Sequence, residues 1–406
     1  MFSFIRKNLF KNYFYKGLKK YDLLIYDDFF PNPKSGFRYE EFTYYMENIN
    51  NLKFLLTPKT YVAVGESPNN QAMYIENLKD KFPKFFEENK ITKFDNKGSY
   101  NINTKLFYCV FINNISEMLP ALEKNKIPFV FTLYPGGGFG FEEESSDAKL
   151  KKVLSSKYFK KVIVTQRVTY EYLIRKNFCP KEKISFIFGG VIPQKSFSFN
   201  VAERLYYPDK KTLDICFCAG RYTEDGRDKG YPIFIEVMKK LSPKYDFIRF
   251  HVIGNYDPSI IDISGYEDKI KFYGSLPYDD LAGVFRNIDI IISPNKSDLL
   301  SKGAFDGFPL GAVAEAALNG CLVMNTDPNN ENFIKETGEH HFIPDLEMII
   351  IQPDSDNIIE NIEKIIFSPK LIKQIAFAGQ QKFIKLYNNE AQMKPRLELL
   401  KSFISN

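Results

Sequence analysis

Two segments in the second half of the chain concentrate residues that could grip a phosphate. The first reads Ala219-Gly220-Arg221-Tyr222-Thr223-Glu224-Asp225-Gly226-Arg227-Asp228-Lys229-Gly230. Its glycines let a ligand approach the backbone, Arg221 and Arg227 offer planar forks, and Lys229 offers a point charge. Such a set can neutralise a diphosphate without a metal ion; a solvated charged turn is the other reading of the same residues. The second segment, Lys302 to Gly320, carries Asp306-Gly307-Phe308-Pro309-Leu310-Gly311 ahead of an Ala-rich helical stretch. The free N–H groups and the dipole at the start of that helix favour phosphate. Glu315 stands there among Ala, Val and Leu, where a carboxylate is costly without partners. Two ribose hydroxyls would serve as donors, and so would a Lys or Arg of the neighbouring sheet. Asp306 sits in the Asp-Gly-Phe-Pro turn, where a solvated, turn-forming aspartate is the plain reading.

The first half offers less. Tyr134-Pro135-Gly136-Gly137-Gly138 has three consecutive glycines, suited to close approach of a ligand or to a flexible connection. Arg167 follows Val164-Thr165-Gln166 at the end of a strand-like run, placed for contact with a phosphate or another ligand. The three histidines, His251, His340 and His341, all fall in the second half; His251 lies inside a strand pattern and reads as core.

These residues need two scaffolds. The chain has 406 residues, which suits two domains. Strand candidates in the first half are Leu23–Tyr26, Tyr61–Val64, Leu106–Ile112, Phe129–Leu133, Val162–Thr165 and Ile184–Phe188. In the second half they are Leu213–Cys218, Ile248–Ile253, Ile270–Tyr273, Ile288–Ser293, Cys321–Asn325 and Met348–Ile351. Many are apolar on both faces, as in parallel sheets covered by helices, and helical patterns such as Tyr39–Met46, Pro232–Leu241, Tyr278–Arg286 and Gly311–Leu318 alternate with them. The fold class read from this alternation is α/β, with two Rossmann-like doubly wound domains. The expected boundaries are 1–195 for the first domain, Gln194–Lys211 as linker, 212–370 for the second, and 371–406 as C-terminal helices. Ligands of such sheets bind beyond the carboxyl ends of the strands, and the two phosphate-gripping segments follow strands.

Composition excludes several classes. A net charge of +5 is too mild for a nucleic-acid binder but suits anionic small molecules or an anionic membrane surface. The five cysteines are odd in number and three lie in apolar runs, so they read as thiols of a cytoplasmic protein. Cys216 and Cys218 lack a second pair for zinc. No apolar run is long enough to span a bilayer. The basic, aromatic N-terminus is not a secretory signal; residues 1–20 read either as a peripheral membrane contact on the inner face or as a packed helix.

The combination AGR…KG, SPN and DGFPLGAVAEAALNGCLVMNTDP resembles the donor domain of family 4 glycosyltransferases (glycosyltransferase group 1) and their GT-B relatives. The resemblance implies a GT-B fold, with two domains facing across a cleft and C-terminal helices packing back. It implies a retaining, metal-independent transfer of a hexosyl-type sugar from a nucleotide-diphosphate sugar to a glycan, lipid-linked or protein acceptor, with no cofactor. Gly220, Arg221 and Lys229 then bind the diphosphate. Arg227 competes with Lys229, because the family's Arg-to-Lys spacing is shorter. In the family, Glu-x7-Glu binds the sugar with its first carboxylate and ribose with its second. Glu315 matches the second; Gly307 occupies the first position, so Asp306 is read as its displaced counterpart. Gly307, Phe308, Pro309, Leu310 and Gly311 complete the donor loop. Tyr273 and Gly274 stand where relatives meet the base, Tyr273 stacking on it or being a buried tyrosine, and Asn295 points to the cleft. On the acceptor side, Gly36 and Arg38 stand where relatives carry a glycine and a basic residue. Tyr134, with Gly136 and Gly137 after it, occupies the place of a His common in the family. Two other readings stay open: a catalytically silent GT-B subunit binding a glycan or partner transferase, and a sugar-nucleotide epimerase.

Overall fold

The computed structural model describes residues 14–56, 76, 78–91 and 100–405. The expected strand Tyr61–Val64 and most of the N-terminal basic cluster lie outside these residues. The chain divides into two compact units, Met1–Phe188 with Met393–Asn406, and Gly189–Gln392.

The first unit runs β1 (Phe14–Tyr15), β2 (Tyr21–Tyr26), α1 (Gly36–Asn48), β3 (Leu52–Leu55), α2 (Pro83–Glu87), β4 (Tyr100–Asn101), β5 (Thr104–Val110), α3 (Ile112–Lys124), β6 (Phe129–Leu133), α4 (Glu144–Leu154), β7 (Phe159–Val164), α5 (Arg167–Arg175) and β8 (Ile184–Phe186). Its six-stranded sheet has the order β3-β2-β5-β6-β7-β8, and every pairing is parallel. Strand β6 is buried along its whole length, as a central strand covered on both faces requires. Strand β3 was not expected, because Lys53 interrupts its apolar run. Its ammonium donates to the Asn89 carbonyl at 2.6 Å and side-chain oxygen at 2.7 Å, which lets a lysine stem lie buried in the sheet.

The second unit contains β9 (Leu213–Cys218), α6 (Tyr231–Leu241), β10 (Ile248–Ile253), β11 (Ile270–Phe272), α7 (Tyr278–Phe285), β12 (Ile290–Ser293), α8 (Gly311–Leu318), β13 (Leu322–Asn325), the hairpin β14 (Phe333–Ile334) with β15 (Glu339–His340), β16 (Ile349–Ile350), α9 (Ser355–Phe367) and α10 (Lys370–Tyr387). The sheet order is β11-β10-β9-β12-β13-β16, again parallel throughout. Numbered within the unit this is 3-2-1-4-5-6, the doubly wound order whose reversal lies between β9 and β12. Phe217, Ile290, Ile292 and Met324 of the sheet pack with Phe234 and Met238 of α6 and Ile358 and Ile362 of α9 into one core.

The stretch 194–211, expected as a linker, is part of the second unit. It forms two short 3₁₀ turns and inserts Val201 and Tyr206 into the core. Arg204 donates to the Asn319 carbonyl at 2.6 Å, and Tyr206 to the Gly320 carbonyl at 2.7 Å. Polar side chains reaching distant carbonyls leave no apolar period, so composition alone reads as linker.

The C-terminal residues are shared between the units. Gln380 of α10 donates to the carbonyls of Leu318 (2.7 Å) and Phe199 (2.9 Å), holding that helix on the second unit. The last helix, α11 (Asn389–Ile404), enters the first unit at Met393. There Arg396 is completely buried.

Candidate functional site

The two segments expected to grip a phosphate are the loops that leave β9 and β12, the strands flanking the reversal of the second sheet. Gly230 lets them meet. Its φ is +75°, and a Cβ there would lie 2.1 Å from the Pro294 carbonyl oxygen. Gly254, with φ +135°, fits equally tightly against the Ala219 carbonyl, 1.9 Å from an added Cβ, so the loop after β10 supports the first segment from its other side.

Within the first segment the three cations have different surroundings. Arg221 is half-buried; its Nε donates to the Asn255 carbonyl at 3.0 Å and a terminal nitrogen donates to the Glu224 carbonyl at 2.6 Å. Arg227 is exposed and paired with its neighbour Asp225 at 2.8 Å. Lys229 is buried, and its ammonium lies 2.5 Å from Asp306 Oδ1. The geometry therefore separates Lys229 from its competitor Arg227. Buried Asp228, not singled out from sequence, ties the turn by accepting from the Thr223 hydroxyl at 2.6 Å.

Asp306 is not a solvated loop tip. Its Oδ2 accepts from Asn295 at 2.7 Å, Asn295 Oδ1 accepts from the Ser293 hydroxyl at 3.1 Å, and Thr326 donates to the Asn295 carbonyl at 2.9 Å. Lys229, Asp306, Asn295, Ser293 and Thr326 thus form one connected polar array. A small pocket of about 10 Å³ lies beside it, lined by Asn295, Asp306, Gly307, Phe308, Thr326 and Asp327 among others. Phe308 is buried and anchors the loop, after which Leu310 precedes the first turn of α8. Gly311 opens that helix, and an added Cβ there would meet only Ile192, at 3.8 Å.

Glu315 lies on α8 and is 8% exposed. Among the described residues no group donates to its carboxylate and no cation lies within salt-bridge distance. Burial pushes its pKa up to about 8, against a lowering by Lys195 and with a raising contribution from Asp279. Lys195 is itself paired with Asp279, so the expected alternative, an ion pair for Glu315, is not formed. A buried carboxyl group without donors is a place for a ligand's hydroxyls.

Tyr273 is engaged differently from a free stacking platform. Its hydroxyl lies 3.0 Å from His251 Nδ1, and His251 Nε2 is 2.7 Å from Asp214. His251 is accordingly a partnered residue of the sheet. Gly274, with φ +68°, has open space where a Cβ would be.

In the first unit the expected residues divide. Gly36 begins α1 and is buried. Arg38 is enclosed: its Nε donates to buried Asp27 at 2.8 Å, and the rings of Phe29, Phe37 and Phe111 lie 4.7–5.0 Å from its guanidinium. Tyr134 donates to Glu41 Oε2 at 3.0 Å, and burial pushes its pKa far above the ordinary tyrosine value. Gly136, Gly137 and Gly138 all have positive φ. A Cβ on Gly137 would strike Phe111 and one on Gly138 would strike Asn113, whereas Gly136 faces open space. The loop is therefore a packed turn with one open face. Arg167 donates to Glu171 at 3.2 Å, one turn along α5.

Glu41 is another residue that sequence reading missed. Fully buried, it accepts from Tyr108, Tyr134 and Tyr45, with the Arg396 charge opposing the rise that burial imposes on its pKa. The only local signal was a glutamate four residues before a tyrosine on a helix.

Among the described residues no group of three or more His, Cys, Asp or Glu side chains is placed to hold a metal ion, and no helix is long and apolar enough to cross a membrane.

Two parallel doubly wound sheets with this connectivity define a protein of the GT-B architecture. Residues 214–367 match the family model described as glycosyl transferases group 1. Solved structures covering nearly the whole chain are similar. A glycosyltransferase from Rickettsia africae shares 15% identity over 96% of this chain and 100% of its own, with a TM-score of 0.61. Anabaena HepE in complex with UDP and glucose shares 14% over 94% and 99%, with a TM-score of 0.64. Sucrose-phosphate synthase from Thermosynechococcus elongatus shares 14% over 95% and 99%, with a TM-score of 0.60. No curated protein sequence matches the chain.

Proposed function

We propose that the protein is a glycosyltransferase that binds a nucleotide-diphosphate sugar on its second unit and transfers the sugar to an acceptor. The observation that carries this reading is the pairing of two features beside the sheet reversal: the Lys229–Asp306–Asn295 array of the loops and the buried carboxyl of Glu315 on α8, which has no donor among the described residues. The first suits a diphosphate with its sugar; the second suits a ribose diol.

In this reading Arg221 and Lys229 neutralise the departing diphosphate, helped by the start of α8 near Gly311. Lys229 exchanges part of its contact with Asp306 for phosphate oxygens, which frees Asp306 to accept from a sugar hydroxyl. Glu315 accepts from the ribose. Side-chain cations supply the charge stabilisation, so the reaction needs no metal ion, and the anomeric configuration is retained, as the family resemblance implies. The acceptor, a glycan or lipid-linked sugar, is assigned to the first unit, where Gly136 offers open backbone. Arg38 and Tyr134, being committed to Asp27 and Glu41, shape that side rather than acting as its base.

The test is nucleotide-sugar binding and turnover. UDP-, GDP-, ADP- and CMP-sugars are screened by thermal shift, since a ligand bound to the folded state raises its stability by mass action. UDP-glucose is the first to try, given the HepE complex. The stabilising donor is then incubated with and without glycan acceptors. Acceptor-dependent release of the nucleoside diphosphate supports the reading. Epimerised donor without acceptor would indicate the epimerase, and tight binding with no turnover the silent subunit.

A further inference from the structure

A second charged feature lies in the first unit. A groove of about 530 Å³ is lined by Lys16, Lys20, Lys105, Lys126, Lys160 and Phe403, with Asn and Thr side chains between them and no carboxylate. Lys16 and Lys20 precede β2, Lys105 begins β5, Lys126 precedes β6 and Lys160 begins β7. Since these strands are parallel, the groove lies at their amino ends. Gly36, Gly136 and Arg167 follow their carboxyl ends, at the opposite edge of the same sheet.

The lysines are poorly compensated. Lys105 pairs with Asp22 at 3.1 Å and donates to the Ile404 carbonyl. Lys16, Lys20, Lys126 and Lys160 are exposed and have no carboxylate partner among the described residues. The whole chain carries a net charge of only +5, so this edge concentrates positive charge well above the average. Beside it, Leu18 is completely exposed and Tyr15 is 48% exposed. Flexible ammonium groups around an apolar projection suit a surface of many mobile anions, not one fixed anion, which a buried guanidinium or converging backbone N–H groups would recognise better. Each lysine near an anionic leaflet gains attraction that adds over the set.

We propose that this edge docks the first unit on an anionic phospholipid bilayer, with headgroup phosphates entering between the lysines and Leu18 reaching the acyl boundary. The inference is independent of the nucleotide-sugar reading, and either can fail alone.

The experiment is co-sedimentation of the full chain with phosphatidylcholine vesicles and with vesicles containing phosphatidylglycerol. The wild type is compared with the double variant Lys126→Glu/Lys160→Glu and with Leu18→Asp. Thermal melts and nucleotide binding check that the variants are folded. The expected result is binding only to the anionic vesicles, weakened by salt, by Leu18→Asp, and about tenfold or more by the double variant. Absence of binding to anionic vesicles overturns the proposal, as does binding that the variants leave unchanged. Saturable binding of inorganic phosphate or glycerol phosphate without vesicle binding also overturns it, by identifying a site for a soluble anion.

Discussion

The Lys229 ammonium lies 2.5 Å from a carboxylate oxygen of Asp306, although 77 positions separate the two in sequence. Each residue follows a different strand of the second sheet, and Gly230 against Pro294 holds the two loops together. The pair is self-neutralising: the Lys229 ammonium has an anion beside it within the protein.

This pairing predicts unequal effects of its two members. Lys229→Ala is expected to lower turnover by roughly 10²–10³, the usual cost of removing one group that stabilises developing charge. Asp306→Asn should leave binding of the nucleoside diphosphate alone intact or tighter, because Lys229 loses its competitor, while turnover of the nucleotide sugar falls. Calorimetry with both ligands checks this. Equal weakening of both by Asp306→Asn contradicts a role at the sugar.

Glu315 predicts a pH dependence. With a folded-state pKa near 8, its carboxyl keeps a proton that the unfolded chain has released above about pH 4.5. The unfolded state then binds fewer protons, so this group makes the ligand-free protein less stable as pH rises from about 4.5 to about 8. Glu315→Gln should flatten that part of the stability–pH curve. Nucleotide binding draws on the ionised form, so affinity should rise between pH 6 and 8 with proton release, measurable by calorimetry in buffers of different ionisation heat. A pH-independent affinity would remove Glu315 from the ribose.

Gly230 and Gly311 predict opposite outcomes of the same substitution. Gly230→Ala places a Cβ 2.1 Å from a carbonyl oxygen at a left-handed φ. It should cost more than about 1 kcal/mol of stability and disturb donor binding. Gly311→Ala adds a methyl group at an ordinary contact distance and should hold or slightly raise stability, by up to about 1 kcal/mol. Denaturant melts of both variants decide.

Glu41 and Arg396 predict a coupled pair. Arg396→Met leaves a carboxylate buried beside three tyrosines without its counter-charge and should cost about 3–5 kcal/mol. Glu41→Gln in the same chain should recover much of that loss. A double-mutant cycle in guanidinium measures the coupling; additive losses would show that the two do not act together.

Much of the second unit was legible in the sequence. The bounds of β9, β10 and α8 match their apolar patterns, since parallel strands and a buried helix write their burial into local runs of residues. The two candidate loops were visible for the same local reason, as glycines and charges clustered after strands. Strand β3 was hidden by Lys53, whose buried stem depends on Asn89. The segment 194–211 reads as linker because its anchors, Arg204 and Tyr206, bond to carbonyls more than a hundred residues away.

The sequence by itself therefore determined the two α/β units, the glycine- and charge-rich segments that follow their strands and the anomaly of Glu315, because each is encoded by neighbours along the chain. Tertiary structure alone decided the partners. It gave Asp306 to Lys229, left Glu315 without a donor among the described residues, enclosed Arg38 with Asp27, and committed Tyr134 to Glu41 beside Arg396. These outcomes depend on which side chains folding brings within hydrogen-bond reach, and a periodic pattern carries no record of that.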